Sequence, residues 1–268
     1  MFYIFLAQKN LREEVIMKLS NKTAIVTGAG AGMGKAIAIL FAQEGANVIV
    51  SDINTDNIDS VVNEIKSNGG NAVGVTANVA LEADIEKMIN AAVEQFGSLD
   101  IVVNNAGIMD NFVPVGDVSN ELWDRIIAVN LTGPFKVARA AINVMEKQET
   151  GGVIINNASI GGLFGVRGGA AYVASKHGLL GLTKNMAATY GMHRNIRVNA
   201  IAPGGVNTNI QTTITAPHEL GLKAIGNTGK APTGDPMEIA HVALFLASSE
   251  SSFVNGAVIT ADGGWTAG

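Results

Sequence analysis

Short apolar runs rich in β-branched residues recur along this chain, separated by stretches whose apolar positions fall at helical spacing. Thr23–Thr27, Asn47–Ser51, Ala72–Thr76, Ile101–Val103, Val153–Ile155, Arg197–Ile201 and Ala257–Thr260 read as strands. Between them, Met33–Glu44 carries apolar residues at the helical period and 54–67 reads as a more polar helix. Strands that are apolar on both faces and alternate with helices belong to a parallel sheet covered on both sides. The pattern therefore predicts an α/β fold, a doubly wound parallel sheet of about seven strands with helices on both faces.

The regular pattern begins near Met17, so 17–268 is expected to be a single domain and 1–16 a leader outside it. That leader opens with an apolar run at 2–7, far short of the ~20 residues that span a bilayer. It has neither a basic segment before that run nor a small-residue cleavage site, which argues against a secretory signal. It reads as an appended segment or as an amphipathic arm that packs on a partner subunit. With 268 residues the chain can bury a large core without dividing. A net charge of −5 without a basic cluster argues against nucleic acid and against an anionic membrane surface. Cysteine is absent, which excludes disulfides and thiol catalysis and suits a reducing, cytoplasmic location. The four histidines share no ligand spacing, so no metal site is expected.

Two constellations carry chemistry. TGAGAGMG at 27–34 follows the first strand and opens the first helix, where glycines let backbone N–H groups approach a pyrophosphate. Asp52 closes the second strand, where a carboxylate can accept from adenosine ribose hydroxyls. An ordinary tight turn would also explain the glycines alone. Farther on, Tyr172 and Lys176 are placed at i and i+4 on one helix face, after Ser159 at the end of a buried strand. A cation beside a phenol favours phenolate and brings its pKa, ~10 when free, toward neutral pH. A packed ring beside a solvated amine is the plain alternative. Ser159 could likewise bond only to local backbone, and Asn130 could merely cap or kink one long helix from Glu121 to Lys147.

Taken together, these residues resemble the short-chain dehydrogenase/reductase family, in its single-domain branch, over 18–268. The resemblance rests on Thr27, Gly28, Gly32 and Gly34 in the turn, NNAG at 104–107, Asn130 in AVNLTGPF, Ser159, the Tyr172/Lys176 pair and PGGVNT at 203–208. It implies a Rossmann-like fold binding NAD(H) in preference to NADP(H), since Asp52 would face the adenosine 2′-position. Cofactor contacts carried over are Gly28, Gly32, Met33, Gly34, Asp52, Asn78, Val79, Asn105, Ala106, Gly107, Tyr172, Lys176, Pro203, Gly204, Val206 and Thr208. Asn78 departs from the aspartate common there, and its amide oxygen can still accept from adenine. Tyr172 would be the general acid/base, Ser159 would orient the carbonyl, Lys176 would lower the phenol pKa and hold the nicotinamide ribose, and Asn130 would hold a relay water. The resemblance also implies a homotetramer assembled through 121–147 and 170–191, with the strand at 257–260 at a second interface.

The implied reaction is hydride transfer between the nicotinamide and a carbonyl or secondary alcohol. The substrate is less legible. A stretch at 205–236, rich in Thr, Ala and Gly, is too long for a simple connection and reads as a substrate loop. Met109, Phe112, Leu163, Phe164 and Val166 would give it an apolar pocket; no Arg or Lys cluster points to a dedicated phosphate or carboxylate clamp, with Arg167 and Lys223 left open for that role. Ketones, steroids, sugars such as glucose and 3-oxoacyl thioesters all remain open as substrates. An epimerase or dehydratase of the extended branch would call for a larger C-terminal domain. A protein that senses NAD without turnover would have no use for Asn130, Ser159, Tyr172 and Lys176 together.

Overall fold

The computed structural model describes residues 17–230 and 232–267. The expected leader lies outside them. The first half runs β1 (Thr23–Thr27), α1 (Gly32–Gln43), β2 (Asn47–Asp52), α2 (Thr55–Ser67), β3 (Asn71–Thr76), α3 (Glu82–Phe96) and β4 (Ile101–Asn104). The second half runs α4 (Asn120–Ile127), α5 (Gly133–Met145), β5 (Gly152–Asn157), α6 (Ala170–Arg194) and β6 (Ile196–Pro203). It continues with β7 (Gly205–Val206), α7 (Glu219–Gly226), β8 (Thr233–Gly234), α8 (Pro236–Ala247) and β9 (Val258–Ala261).

The main sheet has seven parallel strands in the order β3-β2-β1-β4-β5-β6-β9. The chain winds outward from β1 to β3, then crosses back to β4, so a crevice opens between β1 and β4 at their C-terminal ends. Both faces are buried, and β1 shows why its run is continuously apolar. Ala24 and Val26 face one core with α1, α2 and α8, while Ile25 faces the other with α3, α5 and α6.

Three features depart from the expectations. The strands β4 and β5 extend beyond their apolar runs through Asn104, Asn156 and Asn157, whose amides are buried because they bond to one another and to neighbours. The single helix expected over Glu121–Lys147 is instead α4 and α5 joined by a π-helical turn at Ala128–Thr132. Pro134, just inside α5, has no N–H to give the preceding turn, and the wider turn accommodates it. Finally, 205–236 is an organised excursion: β7 and β8 pair at its two ends, and a 3₁₀ turn at Asn209–Thr213 and α7 lie between them.

Candidate active site

The β1–α1 turn needs its glycines for space as well as conformation. Gly28 and Gly32 have φ of +63° and +55°, and a Cβ on Gly34 would collide with the Gly28 carbonyl. Asp52 points back at this turn: its Oδ2 accepts from the Gly30 N–H at 2.9 Å and its Oδ1 from the Asn54 N–H at 3.0 Å. Each oxygen keeps a lone pair for a ligand hydroxyl. Turn and carboxylate border a cleft of about 670 Å³, with Asn78, Val79, Asn105, Ala106, Gly107 and Thr208 on its walls. Arg125 of α4 also borders it, a cation the sequence pattern did not single out. The Asn78 Oδ1 accepts from the Ala80 N–H at 3.0 Å, so only its second lone pair remains for an outside donor.

A buried polar chain joins this cleft to a second cavity. The Thr27 hydroxyl accepts from the backbone N–H groups of Asn105 and Ala106 at 3.0 and 3.1 Å. The Asn105 side chain donates to the carbonyls of Thr27 and Gly28 and accepts from Asn157 Nδ2 at 2.8 Å. Lys176 Nζ then donates to the Asn157 carbonyl at 3.0 Å. The Asn157 role was not read from the sequence, although two asparagines following an apolar strand in GGVIINNAS are a signal, since buried amides need partners.

Met33, Ser159, Tyr172, Lys176, Pro203, Gly204, Val206 and Thr208 line the second cavity, of about 470 Å³. Tyr172 and Lys176 are 5% and 4% exposed, and the Lys176 Nζ is 5.6 Å from the Tyr172 ring centre. Burial pulls the Lys176 ammonium down to about 8. Burial also pushes the Tyr172 phenol up; the Ser159 hydroxyl opposes this, and the negative charge of Asp110 adds to it. Burial is the largest of these influences and sets the direction, opposite to the lowering expected from Lys176. Ser159 Oγ accepts from the Gly161 N–H at 2.9 Å. The fully buried Asn130 sits in the π turn and clasps one residue from both sides, its Oδ1 accepting from the Ile108 N–H and its Nδ2 donating to the Ile108 carbonyl.

Asp110 escaped the sequence reading. It is completely buried and accepts from the N–H groups of Gly169 and Tyr172, each at 2.8 Å, and of Phe112 at 3.2 Å. No side chain on the preceding residue caps α6, so Asp110 satisfies the first turn of the helix that carries Tyr172. Met109 and Phe112 line the cavity as expected; Leu163, Phe164 and Val166 instead lie outside its lining at 40%, 40% and 43% exposure. Lys223 does not reach the cavity lining either. No metal-binding cluster of His, Cys, Asp or Glu occurs among the described residues. Likewise, none of their helices is long and apolar enough to cross a membrane.

A doubly wound sheet with a glycine turn, an acid on the adjacent strand and a buried Tyr/Lys pair on one crevice defines the dinucleotide-dependent oxidoreductase class. The chain belongs to the short-chain dehydrogenase/reductase family and is an alcohol dehydrogenase/ketone reductase within it. The family model described as Enoyl-(Acyl carrier protein) reductase matches residues 28–266. A 3beta-hydroxysteroid dehydrogenase 2 of Eggerthella lenta is 41% identical over 251 residues, 93% of this chain and 96% of that protein. A 3-oxoacyl-(acyl-carrier-protein) reductase of Thermotoga maritima is 42% identical over 248 residues, 92% and 99% of the two chains. The crystal structure of a short-chain type dehydrogenase/reductase from Mycobacterium marinum superimposes with a TM-score of 0.85 at 33% identity, covering 94% of this chain and 98% of that one.

Proposed function

We propose that the chain interconverts a ketone and a secondary alcohol with NAD(H), using Tyr172 as general acid/base, Ser159 to orient the carbonyl and Lys176 to hold the nicotinamide ribose. The observation that carries this reading is the meeting of Ser159, Tyr172 and Lys176 in one cavity, joined by the Asn105–Asn157 chain to the glycine turn. The residues present fit the dinucleotide. The turn is a cradle that a Cβ would fill, and the buried Asn157 Oδ1 in the second cavity has no donor among the described residues.

A nicotinamide held there would supply hydride to a carbonyl carbon or take it from a carbinol carbon. In reduction, Tyr172 gives its phenolic proton to the carbonyl oxygen, while the Ser159 hydroxyl donates to the same oxygen and steadies its developing charge. The high phenol pKa suits this direction, because the acid is fully protonated at neutral pH. Lys176 and Asn130 both border Gly107, which supports a path for the replacement proton. Oxidation reverses these steps with the Tyr172 phenolate as base. The named relatives are a 3beta-hydroxysteroid dehydrogenase and a 3-oxoacyl-(acyl-carrier-protein) reductase, and both names fit a ketone or secondary-alcohol chemistry. The assembly we propose is a homotetramer, its location the cytoplasm, and 17–268 its single catalytic domain.

The test is a panel of ketones with NADH, followed by absorbance, for the native chain and for Tyr172→Phe. Stoichiometric NADH loss is expected with at least one ketone. Tyr172→Phe should cost ~10² to 10⁴ in turnover with NADH affinity retained, because the ring and the turn stay in place. Retention of more than about a tenth of the reduction rate on a substrate whose chemistry is limiting would assign the proton to another residue.

A further inference from the structure

Among the described residues, Arg167 is a cation with no carboxylate partner. It sits in the segment between Ser159 and α6 and lines the same cavity as Ser159 and Tyr172. Its neighbour Gly168 packs so closely on the Tyr172 ring that a Cβ there would strike it. The guanidinium carbon lies 4.3 Å from the Trp265 ring centre and 5.8 Å from that of Phe164. Trp265 is itself fixed, its Nε1–H donating to the Thr228 carbonyl at 3.1 Å. The head group is therefore held on an aromatic platform, which costs a cation little and leaves its edge donors free.

Those donors are not spent inside the described residues. The only bond of the head group is from Nη1 to the Val166 carbonyl at 3.4 Å, and the buried Nε has no partner. Three other arginines are satisfied: Arg139 and Arg194 pair with Glu82 and Glu146, and Arg197 donates to four oxygens. The cavity that Arg167 lines contains Lys176 but no Asp or Glu, while Met109, Phe112, Ile214 and Ile225 make its walls apolar. The Nη donors form a planar fork, which is matched by a carboxylate that accepts two bonds at once. A single such fork suits a monoanion.

We propose that Arg167 recognises a carboxylate on the substrate, so that the enzyme acts on an oxo or hydroxy acid whose charged group is separated by an apolar segment from the reacting carbon. This rests on the ketone/alcohol reading of Ser159 and Tyr172, and it adds the substrate's charge. A purely structural rivet between the 160–169 segment and the C-terminal end would give the same stacking, but it would not distinguish charged from neutral substrates.

The test uses the full chain with NADH and a matched pair of ketones, 3-oxocyclohexane-1-carboxylate and its methyl ester, at neutral pH and low salt. The native enzyme should favour the acid in kcat/KM by ~10- to 100-fold, the scale of a charge-assisted contact. Arg167→Met should bring that ratio to about one, and Arg167→Lys should recover part of it because it keeps the charge without the fork. A loss of loop order alone would lower both substrates together and leave the ratio where it was. Equal use of acid and ester by the native enzyme, or a ratio unmoved in Arg167→Met, overturns the proposal. A second readout is independent of turnover: with NAD⁺ present, cyclohexanecarboxylate should quench the native tryptophan fluorescence, but not that of Arg167→Met or Trp265→Phe. Quenching without reduction of any ketone would retain the carboxylate site and reject the ketone/alcohol reading. Ketone reduction without acid preference or quenching would do the reverse.

Discussion

Two buried residues contribute to Tyr172 from opposite sides of its chemistry, and their effects can be separated by pH. Asp110 places a negative charge behind the phenol and raises its pKa. Asp110→Asn should therefore lower that pKa and move the rise of alcohol oxidation, which needs phenolate, to lower pH; a pH–kcat profile checks this. The same change should cost ~1–3 kcal/mol of stability, since one amide oxygen cannot replace a carboxylate serving three N–H donors. Lys176 gives the second effect. Its pKa of about 8 lies below the ordinary lysine value of 10.5, so between those pH values the folded chain binds fewer protons than the unfolded one. Nucleotide-free stability should then rise with pH through that window, by ~3 kcal/mol at most, and the full penalty of the buried charge should apply below pH 8. In urea melts, the stability of native chain relative to Lys176→Met should improve from pH 7 to pH 10; a constant difference would show that Lys176 does not titrate there. Tyr172, Lys176 and Ser159 were legible because their spacing places them locally. Asp110 was not, because the donors it serves at the start of α6, Gly169 just before it and Tyr172 in its first turn, are 59 and 62 residues away.

At the level of elements, strand positions were legible wherever both faces are buried, since every residue of such a strand is then apolar. Their ends were less so: Asn104, Asn156 and Asn157 stay in the ladder because cross-strand amide bonds replace the missing apolar contact. The π turn at Ala128–Thr132 was hidden for another reason, as its residues continue the helical periodicity and only its width differs. The β1–α1 turn and the end of β2 were read together, and in the proposed reading they would govern cofactor choice as a unit. Backbone N–H groups of Gly30 and Asn54 pin the Asp52 carboxylate at 2.9 and 3.0 Å, so it cannot swing from an incoming 2′-phosphate without losing both bonds. Like charges at ~4 Å repel by up to ~4 kcal/mol per pair at an effective dielectric near 20. Screening and the nearby Arg125 reduce that, leaving an expected preference for NAD(H) of about one to two orders of magnitude in kcat/KM. Asp52→Ser should narrow it. Equal catalytic efficiency of the native chain with both cofactors would reject this role for Asp52.

At the scale of the whole molecule, four exposed aromatic side chains fall in two groups. Trp123 of α4 and Phe135 of α5 are 38% and 42% exposed, and Phe245 of α8, on the other face of the sheet, and Phe253 beyond it are 39% and fully exposed. Scattered apolar residues are ordinary on a monomer, but two groups on separate surfaces suit the two kinds of contact in a tetramer with closed symmetry. The first group suits a helix-to-helix interface because Arg139 stacks on Phe135 at 5.2 Å and bridges to Glu82, which sets polar groups beside an apolar centre. The expected species at micromolar concentration is therefore a tetramer by light scattering. Phe135→Glu places charge at the centre of the helical contact and should leave dimers held by the other surface. Phe253→Glu should also leave dimers, now held by the helices, and the two changes together should give monomers. A native monomer would reject the assembly outright, whereas a native tetramer unaffected by Phe135→Glu would move the interface away from α4 and α5.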